Sequence, residues 1–500
     1  MITLLLFAAI ALLLALGICG NRRDPGERSL RDIPGPSALP LVGNLAEFTH
    51  RHLHIRLSEL AKTFGPIYRL RLWGQDIIVL NSLDVIKEAL VKRSSEFAGR
   101  PKSFVGDFVS FGGKDLSLGD YSHTWKVQKK LAHSAIHWSR KSALEPVVMR
   151  EAERLCEVFR ICEGCPVDPN RDFSISTCNT ISSLIFSTNY ERCDPQLQEI
   201  HDCLTELVAL WGSCAVGLID MFPVLQYIPN SAWRDLQKAV LKRDAFVRQH
   251  IQNHKVTFQK GVTRDITDML MRTIWDRKEG SLEQGEVTEE HIHMIIVDLF
   301  IGGMETTSST LGWAIAYLVH WPEIQDQIYQ EICSRVGEDR YPEYADRKKL
   351  PLLMATIAEV LRLRPIVPLS LPHRTTSNSS VAGYFIPSGT HVITNLFGSN
   401  YDESKWSEPT HFRPDRFLDV PEAEKAIQNV ISFGMGARSC LGEPFARIEL
   451  FLFLAYLLKD FKFLPEERGV LPNLQCMERK LMRIKHYRVT IIRRSNLKHD

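Results

Sequence analysis

Ten residues near the C-terminus constrain this chain more than any others: Phe433-Gly-Met-Gly-Ala-Arg-Ser-Cys-Leu-Gly442. An apolar run of helical character begins at once, from Glu443 to Leu458. A cysteine at a helix N-terminus meets unpaired backbone N–H groups and the positive end of the dipole, and both favour thiolate over thiol. Gly436 and Gly442 let the backbone approach something flat and bulky. Arg438 can pair with an anionic substituent on it, and Phe433 can shield the sulfur from water. Together these residues describe a loop that holds a metal through one thiolate, in a dry setting.

The longest helical pattern runs from Thr288 to His320, with Glu289 and Glu290 at its start and Pro322 ending it. In its middle sits Gly302-Gly-Met-Glu-Thr-Thr307. Two adjacent glycines cost a helix interior about 2 kcal/mol, and close backbone approach to a flat cofactor would compensate. Glu305 beside Thr306 sets an acid next to an alcohol, a pairing that can relay protons to a buried oxygen. A second helix spans Leu352 to Arg364 and stops at Pro365. Its Glu359 and Arg362 are i, i+3 partners, and Arg416 in Phe412-Arg-Pro-Asp-Arg-Phe417 can complete a Glu359–Arg362–Arg416 network.

Phe64 to Trp73 and Asp76 to Asn81 read as two strands joined by a glycine-containing turn, and Val381 to Ile393 as a hairpin about Pro387-Ser-Gly389. Trp125 and Lys129 lie four apart on one helix face. Lys141 to Lys278 reads as mixed amphipathic helices, and the tail beyond Phe461 as short strands and turns.

Met1 to Cys19 carries no charged side chain and is followed by Arg22, Arg23, Arg28 and Arg31. Nineteen helical residues span about 28 Å, close to a bilayer core. With no basic stretch ahead of the run, this is an uncleaved anchor rather than a signal peptide, and the trailing arginines keep the rest of the chain cytoplasmic. Pro34-Gly-Pro36 and Pro40 then form a stiff connector. The expected organisation is an anchor over 1–20, a basic and proline-rich hinge over 21–44, and one catalytic domain over 45–500. A net charge of +2 without a basic, aromatic-laced stripe implies no nucleic-acid partner. The 11 cysteines are odd in number and scattered, and Cys162-x-x-Cys165 has no second pair to make a zinc site, so mostly free thiols and a reducing compartment are expected.

The pattern F-x-x-G-x-R-x-C-x-G, complete at Phe433, Gly436, Arg438, Cys440 and Gly442, resembles the haem-binding loop of the cytochrome P-450 monooxygenases. The Glu305–Thr306 segment is similar to that family's oxygen-activation motif, and Glu359–Arg362–Arg416 to its structural ion-pair network. The resemblance covers residue 34 to the end and implies a mainly α fold with a small β region. It also implies haem b with Cys440 as axial thiolate, Arg100, Lys129, His373 and Arg438 as partners of the haem propionates, and Glu305 with Thr306 as the catalytic pair. Within the family the likeness is to vertebrate steroid hydroxylases, carried by Ala355 to Pro365, Pro372-His-Arg-Thr-Thr376, Ile301 to Thr307 and Asp115 to Tyr121. It implies a steroid such as progesterone or 17-hydroxyprogesterone as substrate, with Arg243 as hydrogen-bond donor to its ring ketone and Trp211 and Val367 as apolar walls. An NADPH-dependent flavoprotein reductase would supply electrons, membrane lipid would hold the anchor, and the body would face the cytosol on the endoplasmic reticulum. A different steroid hydroxylase is a second reading. A haem protein that carries electrons or senses a ligand is a third, and Glu305–Thr306 argues against it, since an electron carrier needs no proton relay.

Overall fold

The structure, a computed structural model, describes residues 30–259, 261–275, 287–418, 422–476 and 481–498. The expected membrane anchor, with Arg22, Arg23 and Arg28, lies outside the described residues. Among the described residues no single helix is long and apolar enough to cross a membrane. Helices dominate, and the strands form three small sheets.

Two compact units emerge. Among the described residues, one draws on the chain up to Pro101, Pro368–Ser407 and Gly434–Arg438, and the other on the chain between Lys102 and Val367, between Glu408 and Phe433, and from Ser439 onward. In the first, strands β1 (Ile67–Leu72) and β2 (Gln75–Leu80) pair antiparallel. Trp73 and Gly74, both at positive φ, make the turn between them. Strands β3 (His373–Arg374) and β4 (His391–Thr394) complete a sheet of order β1-β2-β4-β3, with β2 and β4 parallel. The expected hairpin forms one turn earlier than its Pro-Ser-Gly signal. Ser379–Val381 pairs with Tyr384–Ile386 across Ala382-Gly383, whose φ values are 50° and 79°. Two successive left-handed residues match the twist of a two-residue hairpin. The later signal at Pro387 turns the chain out of the hairpin into β4.

Among the described residues, the helices of the second unit include α1 (His123–Ser142), α2 (Pro169–Phe186), α3 (Ser231–Thr257), α4 (Glu289–His320), α5 (Pro351–Leu363) and α6 (Glu443–Asp460). Thr288 caps α4 together with His291. Most residues from Ile292 to Val319 are buried, so α4 is apolar on nearly every side and forms the core helix. Its glycines divide two tasks. A Cβ on Gly303 would lie 3.0 Å from the Ile181 side chain of α2, and one on Gly312 would lie 2.3 Å from Asn170 Oδ1. These two positions let α2 press close. Gly302, in contrast, has nothing within 4 Å. The glycine pair is therefore half a packing device, a role the cofactor-approach argument did not assign.

The ion-pair residues meet in this unit. Glu359 and Arg362 are both fully buried, with Arg362 Nε donating to Glu359 Oε2 at 2.7 Å. Arg416 Nε donates to Glu359 Oε1 at 3.2 Å, and the Arg413 backbone N–H donates to the same oxygen at 2.9 Å. Arg362 also donates to the Pro409 carbonyl at 2.8 Å. A carboxylate taken out of water is tolerated here because it is so fully bonded. The network ties α5 to the chain ahead of the cysteine loop, where Ser432 Oγ donates to the Leu361 carbonyl at 2.6 Å.

Glu449 of α6 is the opposite case. It is 3% exposed and accepts a hydrogen bond from Thr307 Oγ1 of α4 at 3.0 Å. Burial pushes its carboxyl up to about 8. A carboxyl raised this far binds a proton on folding, so its contribution to stability is lost as pH climbs from the unfolded value through about 8. Glu449→Gln should abolish this dependence. Wild type should lose stability relative to the variant across that window by up to about 1.4 kcal/mol per pH unit. Chemical denaturation of both proteins at a series of pH values measures it, and parallel curves would refute the assignment.

Candidate functional site

In the first unit, the strip Phe97–Arg100 organises three of the residues expected to meet acidic substituents. His373 Nδ1 lies 2.8 Å from the Phe97 carbonyl. Arg438 Nε donates to the Ala98 carbonyl at 2.8 Å, and the Arg374 N–H donates to the Gly99 carbonyl at 2.8 Å. Arg374 Nε donates to the Arg100 carbonyl at 3.0 Å. Arg100 itself is buried and donates to the carbonyls of Leu371 and Pro372 at 2.9 and 2.8 Å. Three guanidinium groups, of Arg100, Arg374 and Arg438, and one imidazole are thus gathered about one short length of backbone.

His373 is buried, and burial pushes its pKa down to about 3, with Arg100 and Arg438 adding to the effect. Its ring is therefore neutral, with the Nδ1 proton directed at Phe97, and Nε2 is an acceptor. An anion beside it would favour a second proton on Nε2.

The loop after Phe433 is seated by Gly436. Its φ is 71°, and a Cβ there would lie 1.7 Å from the Leu90 carbonyl oxygen. The next N–H, of Ala437, donates to Ser94 Oγ at 2.7 Å. Only glycine fits this approach.

In the second unit, the Cys440 N–H donates to the Phe433 carbonyl at 2.9 Å, closing the base of the loop. Cys440 has solvent-accessible surface, yet protein surrounds it so densely that burial is the largest influence on its thiol. Its accessible side therefore opens into a recess. Burial raises the thiol pKa, against the pull of hydrogen bonds from the Gly442 and Glu443 N–H groups and of the Lys129 charge. The expectation that the helix start alone would favour thiolate is thus overturned by desolvation. The chain's own field does not ionise this sulfur, and an adjacent cation would. Lys129 sits with its ammonium 5.4 Å from the centre of the Trp125 ring, whose Nε1 donates to the Leu116 carbonyl at 3.0 Å.

On α4, Gly302 and Thr306 carry the accessible side of a helix buried elsewhere. Thr306 Oγ1 donates to the Gly302 carbonyl at 2.7 Å. Glu305 is buried on another face, where Arg483 Nε donates to Oε1 at 2.5 Å and Ser309 Oγ does so at 3.2 Å.

Arg243 is 2% exposed. Nε donates to Asp244 Oδ1 at 2.9 Å, and Nη2 donates to the Val109 carbonyl at 3.0 Å. Adjacency in sequence did not require Asp244 to face it, but the two do pair, and His293 Nε2 lies 3.0 Å from the same carboxylate oxygen. Around them runs an apolar cluster of Val105, Val109, Leu207, Trp233, Ala239 and Val240, with Trp211 and Ile301 packed against it. Val367 is half-buried.

Sequence reasoning passed over three groups. Arg483 gave no signal, because it lies in an irregular tail. Asp115 and Asp298 are held together by Ser117 Oγ, at 2.6 and 2.8 Å from their carboxylate oxygens, and burial raises both. Asp298 did carry a signal, as a lone charge inside the apolar run Val297 to Ile301.

Residues 33–491 match the model of the cytochrome P450 family. The chain belongs to that family. This P450 is 44% identical over 468 residues to the steroid 21-hydroxylase of Sus scrofa, covering 93% of this chain and 92% of that protein. It is 43% identical over 480 residues to the Bos taurus steroid 21-hydroxylase, covering 94% and 93%. Among solved structures it resembles a zebra fish cytochrome P450 with progesterone. The TM-score is 0.79 and the identity 33%, with 88% of this chain and 99% of that one covered. This P450 is thus a haem-thiolate monooxygenase, and membership of the family implies haem iron held by a cysteine thiolate.

Gly436 and Gly434 offer a paired test, since both have positive φ but nothing lies within 4 Å of a Cβ on Gly434. Gly434→Ala should cost about 1–2 kcal/mol of backbone strain. Gly436→Ala must displace the loop and should lose the thiolate-type ferrous–carbon monoxide band. Equal, mild effects on that band would remove Leu90 from the loop's seat.

Proposed function

We propose that this P450 is a steroid 21-monooxygenase that hydroxylates progesterone and 17-hydroxyprogesterone at carbon 21, using dioxygen and electrons passed from NADPH by a flavoprotein reductase. One observation carries the reading: 42–44% identity, across 93–94% of the chain, to the steroid 21-hydroxylases of pig, mouse and cattle. The catalytic body is 45–500, and its place is the cytosolic face of the endoplasmic-reticulum membrane. A run of exposed apolar residues, Leu218, Phe222, Val224, Tyr227 and Ile228, suits contact of that body with lipid.

The residues at hand fit haem b. Cys440 offers an accessible sulfur in a recess, with two backbone N–H groups bonded to it. When bound, the haem supplies the activation of dioxygen for insertion into a C–H bond. Cys440 would hold its iron through Sγ, and that cation would supply the charge that the buried thiol lacks. Arg100, Lys129, His373 and Arg438 would hold its acidic substituents. A carboxylate there offsets the cost of burying the Arg100 guanidinium. Thr306 presents a hydroxyl on the accessible side of α4, suited to hand a proton onward.

For the steroid, Arg243 would be the hydrogen-bond donor, held beside Asp244 and His293, with Trp211 and Val367 as apolar walls. Asp244 and Val109 occupy Nε and Nη2. Nη1 is the arm of the fork offered to a ring ketone, which turns the far end of the steroid, carbon 21, toward the reacting centre. The likeness to a progesterone-bound zebra fish P450 suits a second reading, another steroid hydroxylase with different regiochemistry such as a 17α-hydroxylase.

A steroid panel incubated with the protein, reductase and NADPH decides between them. The expected product of progesterone is its 21-hydroxy derivative, and product at another carbon would overturn the proposal. Cys440→Ala should abolish both the product and the ferrous–carbon monoxide band, and retention of the band would unseat Cys440. Arg243→Ala should keep the band yet weaken progesterone binding by about 1.5–3 kcal/mol, the range of a charge-assisted hydrogen bond, and Arg243→Lys should weaken it by less. Titration of the progesterone-induced spin-state change measures it, and wild-type affinity would remove Arg243 from the steroid site.

A further inference from the structure

The acid beside Thr306 does not share its surroundings. Thr306 lines the accessible side of α4, whereas Glu305 is 7% exposed and bonded to Arg483 and Ser309. Arg483 is itself mostly enclosed, with 16% of its side chain exposed. The segment that carries it is pinned along α4. Trp313 Nε1 donates to the Met482 carbonyl at 2.6 Å, the Met482 N–H donates to the Ile366 carbonyl at 2.8 Å, and Tyr487 Oη donates to the Gly312 carbonyl at 2.7 Å. The guanidinium therefore arrives at Glu305 on a fixed backbone.

We infer that Arg483 is a positioning residue for proton delivery: its ion pair holds the Glu305 carboxylate charged and turned from the side of α4 that Thr306 lines. The inference rests on the monooxygenase reading, with Thr306 as the group that passes the proton. Under it, Glu305 does not swing freely as a proton donor. It is a fixed negative charge one residue from the relay hydroxyl, and Arg483 fixes both its charge and its direction.

An internal comparison shows what the cation does. Glu449 lies one helix away against the same segment of α4, with the Thr307 hydroxyl as its partner, and burial pushes it up to about 8. Arg483→Met would remove this ion pair from Glu305 while keeping the hydrogen bond from Ser309. A carboxyl that gains and loses a proton near neutrality would then stand next to the relay.

The test uses the full-length holoenzyme with reductase, NADPH and progesterone, and compares wild type with Arg483→Met, Arg483→Lys, Glu305→Gln and the Glu305→Gln/Arg483→Met double variant. Product formed per NADPH consumed is followed from about pH 6.5 to 8.5, the range in which a carboxyl resembling Glu449 titrates. Arg483→Met should lower coupling and add a pH dependence of at least about threefold across that range. Arg483→Lys should restore most of the wild-type profile, and Glu305→Gln in the Arg483→Met background should remove the added pH dependence. Thermal midpoints of the same set give a readout apart from turnover, since the two single substitutions should be non-additive.

Arg483→Met with an intact carbon monoxide spectrum and the wild-type coupling profile would overturn the inference, as would strictly additive midpoints. If Arg483→Met takes up no haem, Arg483→Lys and Glu305→Gln carry the test, and wild-type coupling in both would overturn it. The underlying reading fails differently: Thr306→Ala would leave coupling unchanged, whereas an affected Thr306→Ala beside an unaffected Arg483→Met would sink the Arg483 role alone.

Discussion

A thiol buried in protein resists ionisation, and the thiol of Cys440 is held in such a setting. Two backbone N–H groups and a distant ammonium all pull Cys440 toward the anion, and desolvation still prevails. On the proposed reading, the missing charge comes from the iron that Cys440 would hold. This division of labour explains the rigidity spent on the loop. Within its own unit, Gly436 is seated against the Leu90 carbonyl and fixes the path of the loop there through backbone alone.

The same desolvation produces different outcomes at four buried acids. Glu359 is clamped by two arginines and a backbone N–H, Glu305 by one arginine, Glu449 by a neutral hydroxyl, and Asp298 lies beside a second carboxylate. Where a cation is present the carboxylate is held in one direction. Where it is absent the group is driven toward its neutral form. Structural and chemical roles are thus sorted by the partner, not by the acid.

Much of this was legible in the sequence, for identifiable reasons. The extent of α4 could be read because Thr288 and Pro322 punctuate a long apolar pattern, and α5 because Pro365 stops it. Glu359 and Arg362 were visible through helical spacing. What escaped depended on distant chain. Gly303 serves Ile181, more than a hundred residues earlier, and no local pattern distinguishes it from Gly302. The partner of Glu305 lies in the tail, where short irregular segments leave no periodicity to read. The hairpin was placed at the wrong turn because Pro-Ser-Gly is a louder composition signal than Ala-Gly, although Ala382-Gly383 has the backbone geometry that a tight hairpin requires.

The Phe97–Arg100 strip carries a consequence for how this site can vary. Its four carbonyls are the acceptors for His373, Arg438 and Arg374, and a carbonyl is the same whatever side chain it accompanies. The cluster therefore depends on the backbone path at 97 and 98 and not on their side chains, which are buried and constrained by packing instead. Gly99 is the exception, since a Cβ there would come within 2.7 Å of the Arg374 carbonyl oxygen. Substitution along the strip should therefore be limited by core packing at Phe97 and Ala98 and by close backbone approach at Gly99, two different physical causes for one fixed shape.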